Sequence, residues 1–140
     1  MNNITKWFLE QSPRKMFFLF LFGLPFYIWL FSIYYQLEYK TNKNSNKLKL
    51  RIIGLITIYP IVYFLYELFT LSFFTLLMPF HLLAMFCGFM LMIISTNSLV
   101  NFEKNNDYST HRKFETFFMI WFYLICIWSL QRRIKKYVNN

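Results

Sequence analysis

From Ile52 to Thr96 the chain runs for 45 residues in which Glu67 and His81 are the only ionisable groups besides tyrosines and one cysteine. A membrane-crossing helix needs about 20 apolar residues. The stretch is therefore too long for one span and suits two, joined by a tight turn. The expected helices lie near 52–71 and 78–97, with Ser72 to Leu77 turning between them. Pro79 falls in the first turn of the second helix, where its missing N–H costs nothing.

The flanks extend this pattern. Met16 to Tyr35 is an uncharged run of 20 residues, about the thickness of one hydrocarbon core. It is longer than the apolar part of a signal peptide, and no small-residue cleavage site follows it. Trp29, Tyr34 and Tyr35 gather toward its far end as an aromatic belt would, and Gly23 with Pro25 marks a kink. A shorter block, Thr116 to Leu130, extends to 114–130 if Phe114 joins it. Hydrophobic residues make up 57% of the chain and charged ones 15%, well below the roughly 25% charge of a soluble domain. The expected fold class is all-α: one small polytopic transmembrane bundle spanning 1–140, with four apolar helices (near 16–35, 52–71, 78–97 and 114–130) around a central helical hairpin. Residues 1–15 read as an interfacial segment, with Ile4, Trp7 and Phe8 opposite Lys6 and Glu10. Residues 36–51 and 97–115 read as polar loops, and 131–140 as a basic tail.

The net charge is +9, held in four clusters between the apolar blocks. Such clusters face anionic headgroups, here Lys40, Lys43, Lys47, Lys49 and Arg51, then Arg132, Arg133, Lys135 and Lys136. The expected partner is the lipid bilayer rather than nucleic acid, since no basic groove or helix-turn-helix pattern is readable. Orientation is harder to read. With four spans, 7 Lys and Arg residues fall on one side and 8 on the other, so the positive-inside rule selects neither. Dual insertion as an antiparallel pair, a fixed orientation imposed by a partner, and a two-span arrangement with the first and last blocks re-entrant all satisfy the pattern. The 20-residue length of the first block favours four spans; the absence of any cation from 72–77 favours two.

Glu67 and His81 form a candidate intramembrane polar pair, because charge within a bilayer is expensive and marks function or a specific partner. Both lie within about two helical turns of the 72–77 turn, so they can meet across the hairpin as a proton relay or as a structural pair. Ala84, Met85, Gly88, Met92 and Ser95 share one helix face, and Ala84 and Gly88 permit close helix approach. That face suits packing, against this chain or another. Tyr59, Tyr63, Tyr66, Glu67 and Thr70 form a second stripe. Glu103, Asp107, His111 and Glu115 recur every four residues with metal-ligand side chains, but the surrounding Asn105, Asn106 and Ser109 favour a solvated loop, and no metal is expected. Cys87 and Cys126 are too few and too far apart for a disulfide framework or metal motif. No nucleophile stands beside a readable base, so no enzymatic activity and no cofactor are expected.

The segment Pro79-Phe80-His81-Leu82-Leu83-Ala84-Met85-Phe86-Cys87 and the run from Glu115 to Ile134 resemble a group of small four-helix inner-membrane proteins of Bacteroidota. Members carry a similar Pro-Phe-His-Leu-Phe-Ala-Met-Phe-Cys segment and end in a tryptophan-rich helix followed by Gln-Pro-Arg-Ile. Gln131, Arg133 and Ile134 match that ending, with Arg132 in place of the proline. Leu124, Ile125 and Cys126 stand where the group has a proline-containing bend. The resemblance covers the C-terminal half and implies a multi-pass protein of a bacterial inner membrane, without an activity. Aromatic residues at 24%, with 19 Phe and 10 Tyr, reflect AT-rich coding, which fits such a source and fits an organellar inner membrane equally. The functional expectation is a non-enzymatic protein acting by association, as an accessory subunit or homo-oligomer. The alternatives are a small proton-coupled transporter or channel using Glu67 and His81, and a membrane-perturbing effector or its immunity partner.

Overall fold

A computed structural model describes residues 2–21, 23–41, 47–70, 78–106 and 113–139. These form seven helices: α1 Asn2–Glu10, α2 Pro13–Phe20, α3 Leu24–Thr41, α4 Lys47–Thr70, α5 Met78–Asn105, α6 Lys113–Trp121 and α7 Tyr123–Asn139. No strand occurs among the described residues.

Among the described residues, only α4 and α5 are long and apolar enough to cross a membrane. At 1.5 Å per residue they extend about 36 and 42 Å. Both begin or end beyond the expected limits: α4 starts at Lys47 rather than 52, and α5 runs to Asn105 rather than 97. The added turns are amphipathic, so residues that read as loop become helix once Leu50, Leu99 and Phe102 have a core to pack against. The 72–77 turn lies outside the described residues. Pro60 sits inside α4, where it leaves the Ile56 carbonyl without its usual donor.

The first apolar block is not the single helix expected near 16–35. Ser12 caps α2, its side chain accepting from the Lys15 N–H at 3.4 Å, and Pro13 opens the helix. Gly23 ends it at φ +72°, a left-handed conformation glycine adopts without strain, with its N–H bonded to the Phe20 carbonyl at 2.9 Å. The chain then reverses. Phe20 packs against Phe26 and Trp29, and Gln36 donates to Thr5 Oγ1 at 2.7 Å. Residues on either side of the block thus meet, so the block enters and leaves at the same end.

The fourth block folds back as well. An unbroken helix would hold Thr116 and Arg133 about 25 Å apart, yet Arg133 Nη2 reaches Thr116 Oγ1 at 3.2 Å. The reversal is centred on Phe122, whose N–H closes α6 onto Phe118 while its carbonyl accepts from Ile125 and Cys126 to open α7. Instead of a free basic tail, 131–139 continues α7. The four-helix expectation therefore reduces to two membrane-length helices and two helical fold-backs.

The core gathers side chains of α1, α2, α3, α6 and α7 with those of the second half of α5. Trp29, Leu30, Ile33, Leu99, Ile127 and Leu130 are wholly buried there. α4 packs only on α3 and α5 among the described helices. Of the apolar windows of α4 and α5, just 17% and 22% of residues are buried, which separates them from core helices of a water-soluble domain. Leu55, Ile58 and Val62 on α4, and Leu82, Met85 and Phe86 on α5, are each more than half exposed.

Candidate functional site

Two polar constellations stand at opposite ends of the α4–α5 hairpin. The distal one contains the pair singled out by sequence. Tyr63 donates its hydroxyl hydrogen to Glu67 Oε1, and His81 Nδ1 lies 3.8 Å from the same oxygen. The Tyr63 and His81 rings meet edge to face at 5.8 Å, while Tyr59 stacks on Tyr63 and donates to the Phe80 carbonyl at 3.3 Å. Tyr66 is exposed, and the side chain of Thr70 lies outside the described residues. Helical spacing sets Tyr63 and Glu67 on one face of α4, and the antiparallel return of α5 brings His81 opposite. The His81 side chain is 54% exposed and that of Glu67 27%. Both residues lie three positions from the described helix ends, about one turn, so the cluster sits at the hairpin's tip rather than midway along it.

The proximal constellation was not assembled by the sequence reading. Glu103, at the end of α5, is fully buried. Its carboxylate accepts from Arg133 Nε at 2.5 Å and Nη2 at 2.6 Å, a bidentate clamp, and from the Tyr137 hydroxyl at 2.6 Å. Fork geometry of this kind fixes both partners in orientation as well as in distance. Arg133 also donates to Thr116, so α5, α6 and α7 share one ionic node. Burial first, and then the bond to Glu103, push the Tyr137 phenol up to about 12; it remains a donor at every physiological pH.

This node corrects two expectations. Arg133 is not a headgroup contact, because its side chain is 9% exposed and committed to Glu103. Glu103 is not part of a solvated metal-type cluster: it points into the core, Glu115 is exposed on α6, and Asp107 and His111 lie outside the described residues. No group of three metal-ligand side chains gathers among the described residues. Arg132, Lys135 and Lys136 remain exposed on α7, as do Lys47, Lys49 and Arg51 on α4. Lys43 and the side chain of Lys40 lie outside the described residues.

A second node joins the N-terminal helices to α7. Trp29 Nε1 donates to Gln131 Oε1 at 3.0 Å, and Gln131 Nε2 donates to the Leu9 and Gln11 carbonyls at 2.8 and 3.0 Å. Those carbonyls lie at the α1–α2 junction, where helical partners run out.

The small-residue face of α5 is divided. Gly88 receives Tyr27 so closely that an added Cβ would lie 3.1 Å from Tyr27 Cε1. Ser95 donates to the Leu30 carbonyl at 2.9 Å, and Ala84 is buried. Gly88 and Ser95 turn toward the chain's own α3, whereas Met92 is partly buried and Met85 is 60% exposed. Cys87 and Cys126 are free thiols, each partly buried. The chain matches no protein-family model, no curated protein and no solved structure.

Proposed function

We propose that this chain is a two-span integral membrane protein, non-enzymatic, that acts by associating with other membrane helices or with a second copy of itself. The hairpin α4–α5 crosses the bilayer. α1–α2–α3 and α6–α7 enter from one face and return to it. Every Lys and Arg in the sequence lies outside 52–103, so this arrangement gathers all the positive charge on one side, as the positive-inside rule requires. The resemblance of 79–87 and 115–134 to small inner-membrane proteins of Bacteroidota agrees with this placement and points to a bacterial inner membrane.

The observation that carries association is the outer stripe of α4. Leu55, Ile58 and Val62 recur at helical spacing and are more than half exposed, and α4 packs on no described helix besides α3 and α5. Single cysteines at these positions, in a chain lacking Cys87 and Cys126, are expected to yield specific oxidative or bifunctional cross-links in native membranes. Monomer at all three positions would overturn association through this face.

A second reading, proton transfer through Glu67 and His81, is favoured by their approach to a common oxygen with Tyr63. On that reading Glu67→Gln abolishes proton flux in proteoliposomes; flux equal to the parent chain, or none in either, would remove it. The cluster's place at the hairpin tip supports instead a structural role, holding the turn at the opposite headgroup region.

A further inference from the structure

A cleft of about 590 Å³ opens between the end of α3, the start of α4 and the second half of α5. Its walls are graded. Ile52, Ile56 and Ile94 line one part, while Glu38, Lys49, Asn97 and Asn101 line the other. Lys49 Nζ binds Glu38 Oε1 at 3.0 Å and lies 5.7 Å from the Tyr34 ring centroid. The pair is not closed off: the Lys49 side chain is 55% exposed and that of Glu38 21%, leaving donor and acceptor positions free on each. The Asn97 and Asn101 amides make no side-chain hydrogen bond within the described residues, and each offers two N–H donors.

We infer that this cleft is a binding site for a phospholipid with a primary-amine headgroup, phosphatidylethanolamine. The inference rests on the two-span placement, which sets Lys49 and Glu38 at headgroup depth and carries Ile56, about 10 Å farther along α4, into the acyl region. A carboxylate and an ammonium side by side mirror a headgroup that carries one ammonium and one phosphate. The lipid ammonium donates to Glu38, the phosphate accepts from Lys49, and the two asparagine amides donate to phosphate or ester oxygens. The acyl chains follow the isoleucines. A purely anionic lipid meets Lys49 but faces repulsion from Glu38. A choline headgroup has no N–H to donate, so Glu38 discriminates against it by a lost charge-assisted hydrogen bond.

The test is native mass spectrometry of the full chain, delipidated in detergent and offered equimolar phosphatidylethanolamine and phosphatidylcholine with matched acyl chains. The parent chain is expected to retain the ethanolamine lipid about tenfold better. Glu38→Gln should abolish that preference while leaving phospholipid bound, and Lys49→Ala should lose both lipids. Asn97→Leu should weaken both alike, and Lys135→Ala, on an exposed turn of α7, should change nothing. Equal retention of the two lipids by the parent chain overturns the site, and so does selectivity that survives Glu38→Gln. Alkaline carbonate extraction separates the two levels of the argument. A chain washed from membranes refutes the bilayer placement itself, while one that stays embedded without selecting the lipid refutes this site alone.

Discussion

Arg133→Ala is expected to destabilise the chain by about 3–5 kcal/mol, the cost typical of stripping one partner from a buried ion pair. Glu103 has no exposed surface. With the guanidinium gone, its carboxylate keeps the Tyr137 hydroxyl and loses both charge-assisted bonds at 2.5 and 2.6 Å. Water cannot replace them without opening the junction of α5, α6 and α7. Glu103→Leu is expected to be nearly as damaging, since it leaves Arg133 charged and enclosed. The double variant Glu103→Leu/Arg133→Leu should recover much of the loss, because removing both charges also removes the desolvation they impose. Thermal or denaturant unfolding of the four chains in one detergent gives the comparison. Arg133→Ala within about 1 kcal/mol of the parent would mean that the carboxylate is solvated, as exposed pairs are.

Gln131→Leu comes next, with an expected loss of roughly 2–4 kcal/mol from buried groups left without partners. One amide serves three others: the Trp29 indole N–H and the Leu9 and Gln11 carbonyls. Leucine fills similar volume, so the loss reports hydrogen bonding rather than a cavity. Gln131→Glu keeps the acceptor for Trp29 but sets a buried carboxylate oxygen against both carbonyls, and should lose at least as much as the leucine variant. The readout is the unfolding midpoint together with Trp29 emission. A leucine variant with an unchanged midpoint would show that the amide is dispensable to the joint between α7 and the N-terminal helices.

Hydropathy made α4 and α5 legible, since a 45-residue run with two ionisable side chains besides its tyrosines and cysteine has few other uses. It did not distinguish a block that crosses from one that turns back. The first block did carry a signal, Gly23 followed by Pro25, which reads equally as a kink in one helix or as a break between two; the φ of +72° at Gly23 makes it a break. No glycine or proline stands near the reversal at Phe122, and the bend that the resemblance implied at 124–126 lacks its proline here. The expected seam on α5 was legible as a face and not as a partner: that Gly88 and Ser95 meet Tyr27 and Leu30 depends on α3 lying beside α5. The Glu103–Arg133 node was hidden by distance along the chain and by polar neighbours that made 97–115 read as loop. Around that node Gln131, Arg133 and Ile134 turn inward, while Arg132 is exposed.

The two-span placement is tested most directly by cysteine accessibility in intact cells, with single cysteines at Asn3, Asn105 and Lys135 and at Phe69 and Met78, in a chain lacking Cys87 and Cys126. The first three positions lie at the end where the fold-backs enter and leave, and the last two flank the hairpin turn. The expected result is protection of Asn3, Asn105 and Lys135 from an impermeant thiol reagent, with Phe69 and Met78 labelled. Labelling at Asn105 with Asn3 and Lys135 protected would contradict the account, because the first and fourth blocks would then have to cross.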